Sequence, residues 1–373
     1  MAYGQNTLTL SPKRLVSDLV SIWSNPTSPP EFKNVLVTGA PGGGKTALME
    51  LAVKKLSEKL GKEVEIIVSH LITAAPEDTK GYPTIVGKET ETPSALHIPF
   101  GDLQQALSAK VITIWILDDF GQANEPTQCA YMQLLHGREL DGKKLPDCVY
   151  FVAATNRRED KANVRGILEP VKSRFQIVEL KPSVDDWCEW ATGQKHIPVE
   201  MVGFMRSRPD ALNDFDATAD MNQSPSSRQW ERAAHTINAL GTDHPSLLHW
   251  LSGAVGRGRA TELIGYYSIF NTCCDPAAII ANPEADEDEE GRPFFHAEAP
   301  DRMFATCAAL AYMATEENFG KVLRFSERLL EKGLGEYGIL LVRDSAKRNP
   351  AVTQSVEWNG MISGPIGKAI EAL

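Results

Sequence analysis

Eight consecutive residues, Gly39-Ala40-Pro41-Gly42-Gly43-Gly44-Lys45-Thr46, constrain this chain more than any other feature, because they meet every fixed position of the pattern G-x-x-x-x-G-K-[ST]. The pattern needs a strand before it and a helix after it. Residues 34–38 read as a short, buried, β-branched strand, and residues 47–60 carry helical apolar spacing. Gly42, Gly43 and Gly44 lack Cβ atoms, so the backbone can wrap an anion and aim its N–H groups at it, and the helix N-terminus adds partial positive charge. Lys45 is expected to reach the β- and γ-phosphates of a nucleoside triphosphate, and the Thr46 hydroxyl to ligate Mg²⁺. The expected cofactor is therefore a nucleoside triphosphate with Mg²⁺, contacted from Gly39, Ala40 and Pro41 through the glycines, Lys45 and Thr46 to Ala47. A ligand-free glycine turn is the plainer alternative, but it does not explain lysine and threonine at the two demanded positions.

At 373 residues the chain is long enough for two or three domains, of which an α/β nucleotide domain uses only the first half. A net charge of −11 argues against a surface devoted to nucleic acid or anionic lipid. The six cysteines form no C-x-x-C pair and read as reduced thiols, as in a cytosolic protein. No apolar signal core and no run of membrane-spanning length stands in the sequence, so a cytoplasmic protein without a membrane partner is expected.

Along the chain, residues 12–23 suggest an amphipathic helix that the proline-rich segment 24–30 breaks. Strands are expected at 34–38, 64–68, 111–117, 149–154 and 176–180, giving a parallel five-stranded α/β layer fold. The prolines and glycines of residues 69–100 forbid a regular element through most of that segment, and loops this long are usually functional. A helix at 125–135 and a small hairpin about Asp141-Gly142 complete the half. The pattern then turns helical. The expected division is 1–30 as N-terminal helix and linker, 31–181 as the nucleotide domain, 182–240 as a helical lid, and 241–373 as a mainly helical extension. The acidic run 284–290 reads as a solvated loop.

The expected strand 111–117 runs into Asp118-Asp119, an acidic pair at the carboxyl edge where α/β sheets place their ligands. Asp118 is expected to hold Mg²⁺ through water and Asp119 to orient the attacking water. The expected strand 149–154 leads into Thr155-Asn156, where the amide of Asn156 suits a γ-phosphate or the lytic water. Arg174 precedes the last strand and is a candidate to neutralise transition-state charge in a neighbouring subunit, and Arg228 opens a lid helix.

Taken together, these segments resemble the AAA+ ATPases. Gly39 to Thr46 resembles Walker A, Ile114 to Asp119 Walker B, Ala153 to Arg157 sensor 1, Ser173-Arg174-Phe175 the arginine-finger segment, and Ser224 to Trp230, centred on Arg228, sensor 2. The MoxR-like branch is the nearest in flavour, on Asp78 to Pro83, Asn156 to Asp160, and Arg208-Pro209-Asp210 with Asp214-Phe215-Asp216. The resemblance spans about residues 10–240. It implies a P-loop AAA+ three-layer sandwich with a helical lid, a ring, usually a hexamer, with ATP between subunits, and chaperone-like work on a protein client, often beside a von Willebrand A-domain protein. Many members have Asp-Glu where this chain has Asp118-Asp119, which puts the hydrolysis rate in question. Arg157, Arg158 and Arg165 share the neighbourhood of Arg174, and the sequence leaves the choice of finger open. Two other readings remain. One is a nucleic-acid motor or loader, for which Arg257-Gly258-Arg259 offers a small basic loop; the other is a weakly hydrolysing nucleotide switch or scaffold.

Overall fold

Side-chain alternation along buried strands organises the first half of the chain. In the computed structural model the described residues are 8–86, 94–140, 142–157, 160, 166–214, 223–361 and 364–371. Asp141, Arg158, Glu159, Arg165, Phe215 and Asp216, all drawn on above, lie outside them. The chain divides into two units, Met1–Pro182 and Ser183–Leu373.

In the first unit the elements run β1 (Leu8–Leu10), α1 (Pro12–Ser24), β2 (Val35–Thr38), α2 (Lys45–Leu60), β3 (Val64–His70), α3 (Glu77–Lys80), β4 (Tyr82–Val86) and β5 (Ser94–Ile98). They continue with α4 (Gly101–Leu107), β6 (Ile112–Asp118), α5 (Glu125–Gly137), β7 (Glu139–Leu140), β8 (Lys143–Lys144), β9 (Val149–Thr155), α6 (Glu169–Lys172) and β10 (Gln176–Leu180). The main sheet is wholly parallel, in the order β1-β10-β2-β9-β6-β3. Val35, Val37, Ile114, Ile116, Val152 and Ala154 face α1 and α2, whose Leu15, Leu19, Trp23, Met49, Val53 and Leu56 complete one core. The intervening residues Leu36, Trp115, Leu117, Phe151 and Ala153 face Leu103 of α4 and Tyr131, Leu134 and Leu135 of α5. Trp115 stacks on Phe151 with ring centroids 5.3 Å apart and meets Tyr131 edge-on at 6.1 Å. Two apolar faces explain why these strands read as unbroken hydrophobic runs. The result is a helix–sheet–helix α/β sandwich.

The structure corrects two expectations. The sheet has six strands rather than five: β1 pairs with β10 through Leu8 to Val178, Thr9 to Glu179 and Leu10 to Leu180. Three residues ahead of the Ser11 cap and Pro12 of α1 are too few to show a strand period. The segment after β3 is also more regular than its prolines suggested, holding α3 and the antiparallel β4–β5 pair. Pro83 is accommodated because a two-stranded ribbon leaves each strand an unpaired edge.

The second unit is helical: α7 (Val184–Thr192), α8 (Val199–Ser207), α9 (Ser227–Leu240), α10 (Leu247–Val255), α11 (Arg257–Asn271), α12 (Pro276–Ala281), α13 (Pro300–Met313), α14 (Phe319–Glu331), α15 (Gly335–Arg348), α16 (Val356–Met361) and α17 (Pro365–Glu371). One core joins α7 to α11 through Trp187, Phe204, Trp230, Leu251 and Tyr266, and another lies beneath α12 to α17 around Phe294, Phe319, Phe325 and Leu341. The acidic run is held by cations: Glu284 binds Arg324, Asp286 binds Arg328 at 2.7 Å and Lys332 at 3.1 Å, and Asp288 binds Arg292 at 2.7 Å. No helix among the described residues is long and apolar enough to cross a membrane.

Arg206 of α8 and Asp344 of α15 form a bidentate pair, with Nη2 to Oδ1 at 2.8 Å, and their side chains retain only 8% and 9% exposure. Removing one member strands a buried charge. Asp344→Ala is expected to lower the stability of the second unit by about 3–5 kcal/mol, read from urea denaturation, while replacing both residues with apolar ones of similar volume restores much of it. An unchanged midpoint for the single variant contradicts this account.

Cys129 is exposed, Cys148 is half-buried, and Cys188, Cys273, Cys274 and Cys307 are buried. Burial pushes the Cys188 thiol up to about 12 and Cys274 to about 11, so both stay neutral near pH 8. A thiol reagent at pH 8 is expected to modify Cys129 first and the four buried thiols only on unfolding. Modification of the buried set at the rate of Cys129 contradicts the packing.

Candidate nucleotide site

Parallel pairing brings the ends of three strands to one edge. Thr38 of β2 lies beside Thr155 of β9, and Leu117 of β6 beside Ala153, so the segments following β2, β6 and β9 leave the sheet together. The glycine loop follows β2. Gly42 and Gly44 take φ of 72° and 83°, the left-handed region that glycine enters without a Cβ penalty. Gly39 is required for a different reason: a Cβ there would lie 2.9 Å from the Leu180 carbonyl oxygen of β10. α2 begins after Gly44 with no side-chain cap, so no capping side chain takes up its first N–H groups, a requirement for binding an anion there. α1, α5, α7 and α9 are capped by Ser or Asn, whereas α4, α8, α10 and α11 start, like α2, without a side-chain cap.

The Lys45 ammonium donates to the carbonyls of Gly39 at 2.9 Å and Ala40 at 3.0 Å, and to Oδ1 of Asn156 at 2.8 Å. Asn156 thus meets the phosphate-loop lysine directly. The Thr46 hydroxyl donates to Oδ2 of Asp118 at 3.1 Å, joining the start of α2 to the end of β6. Asp118 accepts the Asp119 backbone N–H at 3.1 Å on its other oxygen. Asp119 itself sits at φ 54°, ψ 38° and heads a short 3₁₀ turn, Phe120–Gln122. Aspartate tolerates this conformation better than most residues, and such strain gathers at functional positions.

Sequence reasoning missed two neighbours of this pair. Gln122 donates from Nε2 to Oδ1 of Asp119 at 3.0 Å and fixes that carboxylate. His70 ends β3 opposite Asp118, with Nδ1 3.7 Å from Oδ2. The signal for His70 was the pairing register of β3 with β6, which the run of residues does not state. Behind the strand, Trp115 Nε1 donates to Ser69 Oγ at 2.8 Å, and Ser69 donates to Asp102 of α4. This polar chain anchors β6 three residues before Asp118.

The arginines fare differently. Arg157 pairs with the buried Asp160 at 2.8 Å and lies 3.5 Å from Glu179. Arg174 folds back on its own turn, donating to the Pro170 carbonyl and to Ser173 Oγ at 2.7 Å. Arg228 is an exposed residue in the first turn of α9 and belongs to the second unit. Ala47, also expected at the nucleotide, is exposed in the first turn of α2.

No protein-family model matches the sequence, and no curated protein does. Among solved structures the chain is similar to NtrX from Brucella abortus, at 13% identity and a TM-score of 0.41 over 96% of this chain and 67% of that one. It is similar to ORC2 from Aeropyrum pernix at 15% identity and a TM-score of 0.41, covering 96% of this chain and 88% of the other. For domain III of DnaA from Thermotoga maritima the values are 16% identity, a TM-score of 0.38, and 71% and 93% coverage.

Gly39→Ala tests the tight passage of the loop. A methyl group 2.9 Å from a backbone oxygen forces the loop or β10 to shift, so the variant is expected to lose about 1–3 kcal/mol of stability in thermal unfolding. An unshifted melting curve contradicts the close approach.

Proposed function

We propose that the first unit binds ATP with Mg²⁺ and hydrolyses it, and that the chain is an AAA+ ATPase of the MoxR-like kind acting in a ring. One observation carries the reading: Lys45, Thr46, Asp118 and Asn156, from three separate segments, are hydrogen-bonded into one cluster at the carboxyl edge of the sheet. The Thr46 hydroxyl and the Asp118 carboxylate are hard oxygen donors, 3.1 Å apart. Hard oxygen donors are the ligands Mg²⁺ takes, so the pair fits it, Thr46 as a ligand and Asp118 through water. Mg²⁺ would neutralise charge on the β- and γ-phosphates there.

The remaining roles belong to this chain's own groups. Lys45 exchanges neutral carbonyl partners for phosphate oxygens, a stronger charge-assisted bond. Asn156, already at the ammonium, holds Lys45 in place and senses whether the γ-phosphate is present. Asp119, oriented by Gln122, positions the attacking water. Arg174 and Arg228 supply positive charge late in the reaction, the first from a neighbouring subunit and the second from a lid formed by residues 182–240. ATP between subunits favours assembly, a hexamer being the expected ring.

A protein client suits the β4–β5 ribbon. Its register sets Tyr82 opposite Ile98 and Thr84 opposite Leu96, and Tyr82, Leu96 and Ile98 are 66%, 55% and 50% exposed. Apolar side chains on one face of an exposed ribbon favour contact with a polypeptide. A von Willebrand A-domain protein is the partner class the resemblance suggests. The nucleic-acid reading loses its basic loop: residues 257–259 begin α11, and Arg259 is ion-paired with Asp210 at 2.7 Å, Asp214 at 3.0 Å and Glu262 at 2.9 Å. The weakly hydrolysing switch keeps one supporting feature, the shorter carboxylate at Asp119.

Steady-state hydrolysis and solution mass, with and without Mg-ATP, test this function. Mg-ATP is expected to raise the mass to that of a ring and to be turned over, and Asn156→Ala to lower kcat by roughly ten- to a hundredfold with a smaller change in KM. A monomer with no turnover contradicts the reading. Tyr82→Ala is expected to leave basal hydrolysis intact and to remove its stimulation by an unfolded polypeptide; equal stimulation in both proteins contradicts the client surface.

A further inference from the structure

A second cluster of chemistry-bearing side chains lies wholly within the helical unit. His196 sits in the loop between α7 and α8, and Glu231 and His235 lie one turn apart on the same flank of α9. His196 Nε2 is 3.2 Å from Glu231 Oε1, and the His196 and His235 rings are parallel within 8°, with centroids 4.7 Å apart. The three candidate donor atoms all lie within 4.8 Å of one another.

The surroundings hold this cluster in place. Asn238, the next residue along the same flank of α9, donates its amide to the His196 carbonyl at 2.6 Å, pinning the loop to the helix. Trp190 of α7 meets the His196 ring edge-on at 6.4 Å. On its other side α9 is anchored by the buried Trp230, Ala233, Ala234 and Ile237. The loop and the helix are therefore fixed to each other independently of any ion, as a preorganised ligand set requires.

The geometry points to a transition-metal site, with Zn²⁺ its natural occupant, held by His196, Glu231 and His235. Two imidazole nitrogens and one carboxylate oxygen form a borderline donor set that favours Zn²⁺ over the hard cations Mg²⁺ and Ca²⁺. Tetrahedral ligation with bonds near 2.0–2.1 Å places donor atoms about 3.4 Å apart. The His196–Glu231 pair, at 3.2 Å, is already at that spacing. The exposed His235 closes the remainder by a side-chain adjustment. Three protein ligands leave a fourth position for water, and the ion clips the α7–α8 loop onto α9. The site does not depend on the nucleotide reading, since every ligand lies in the second unit.

Zn²⁺ titration of the metal-stripped full chain against a chromophoric chelator tests the assignment, with Co²⁺ absorption as a second readout. One equivalent is expected to bind, to raise the midpoint of thermal unfolding, and to give a visible Co²⁺ spectrum without the intense thiolate band. His235→Ala and, independently, Glu231→Gln are expected to weaken binding by at least about tenfold. Both replace half-buried or exposed side chains, and circular dichroism confirms that each variant is folded. Lys45→Ala is expected to leave Zn²⁺ binding unchanged. Absence of the bound equivalent in the wild type overturns the proposal, as does binding that survives both substitutions but disappears when the thiols are alkylated.

Discussion

The Lys45 ammonium is the point on which the candidate nucleotide site turns. Its three N–H donors meet three oxygens, two from its own loop and one from Asn156 at the end of β9. These bonds tie the start of α2 to its own loop and to the segment that follows β9. All three acceptors are neutral carbonyl oxygens, partners weaker than an ionised acceptor. The sheet serves this arrangement. Parallel register sets β2 beside β9 and β9 beside β6, and the segments that follow them bring Lys45 to Asn156 and Thr46 to Asp118.

Rigidity behind the site comes from packing on both faces of the sheet. Trp115, fully buried, is stacked on Phe151 and hydrogen-bonded through Ser69 to α4. That arrangement fixes β6 just ahead of its acidic pair. Burial pushes the neighbouring Tyr131 phenol far above its ordinary value, so it remains a neutral member of the same network at all physiological pH. The same strand that supplies Asp118 is thus held by apolar contact and by a polar chain, and the left-handed turn at Asp119 is supported by Gln122. Backbone strain at a turn persists only where such surroundings over-determine it.

Much of this was legible in the sequence because the physics was local. The glycines, lysine and threonine of the glycine loop, and the buried strands leading into Asp118 and Asn156, carry their meaning within a few residues. Pairing register is not local. It decides that His70 stands beside Asp118, that β1 joins β10, and that Tyr82 faces Ile98 in a segment whose prolines and glycines argued against a regular element through most of its length. Charge context is equally non-local: Arg259, which looked like part of a free basic loop, is surrounded by Asp210, Asp214 and Glu262. The His196–Glu231–His235 cluster was missed because only the i, i+4 pair shares an element, and its third member arrives from a distant loop.

The most direct test of the account is the affinity for Mg-ATP measured by isothermal titration calorimetry on the wild type and on Lys45→Met, which keeps much of the side-chain volume but removes the charge. The account predicts binding by the wild type that weakens by at least about tenfold in the variant, since one charge-assisted contact to phosphate is worth about 1.5–3 kcal/mol. Equal affinity in the two proteins would mean that the ammonium at the start of α2 does not meet phosphate, and the proposed nucleotide site would have to be abandoned.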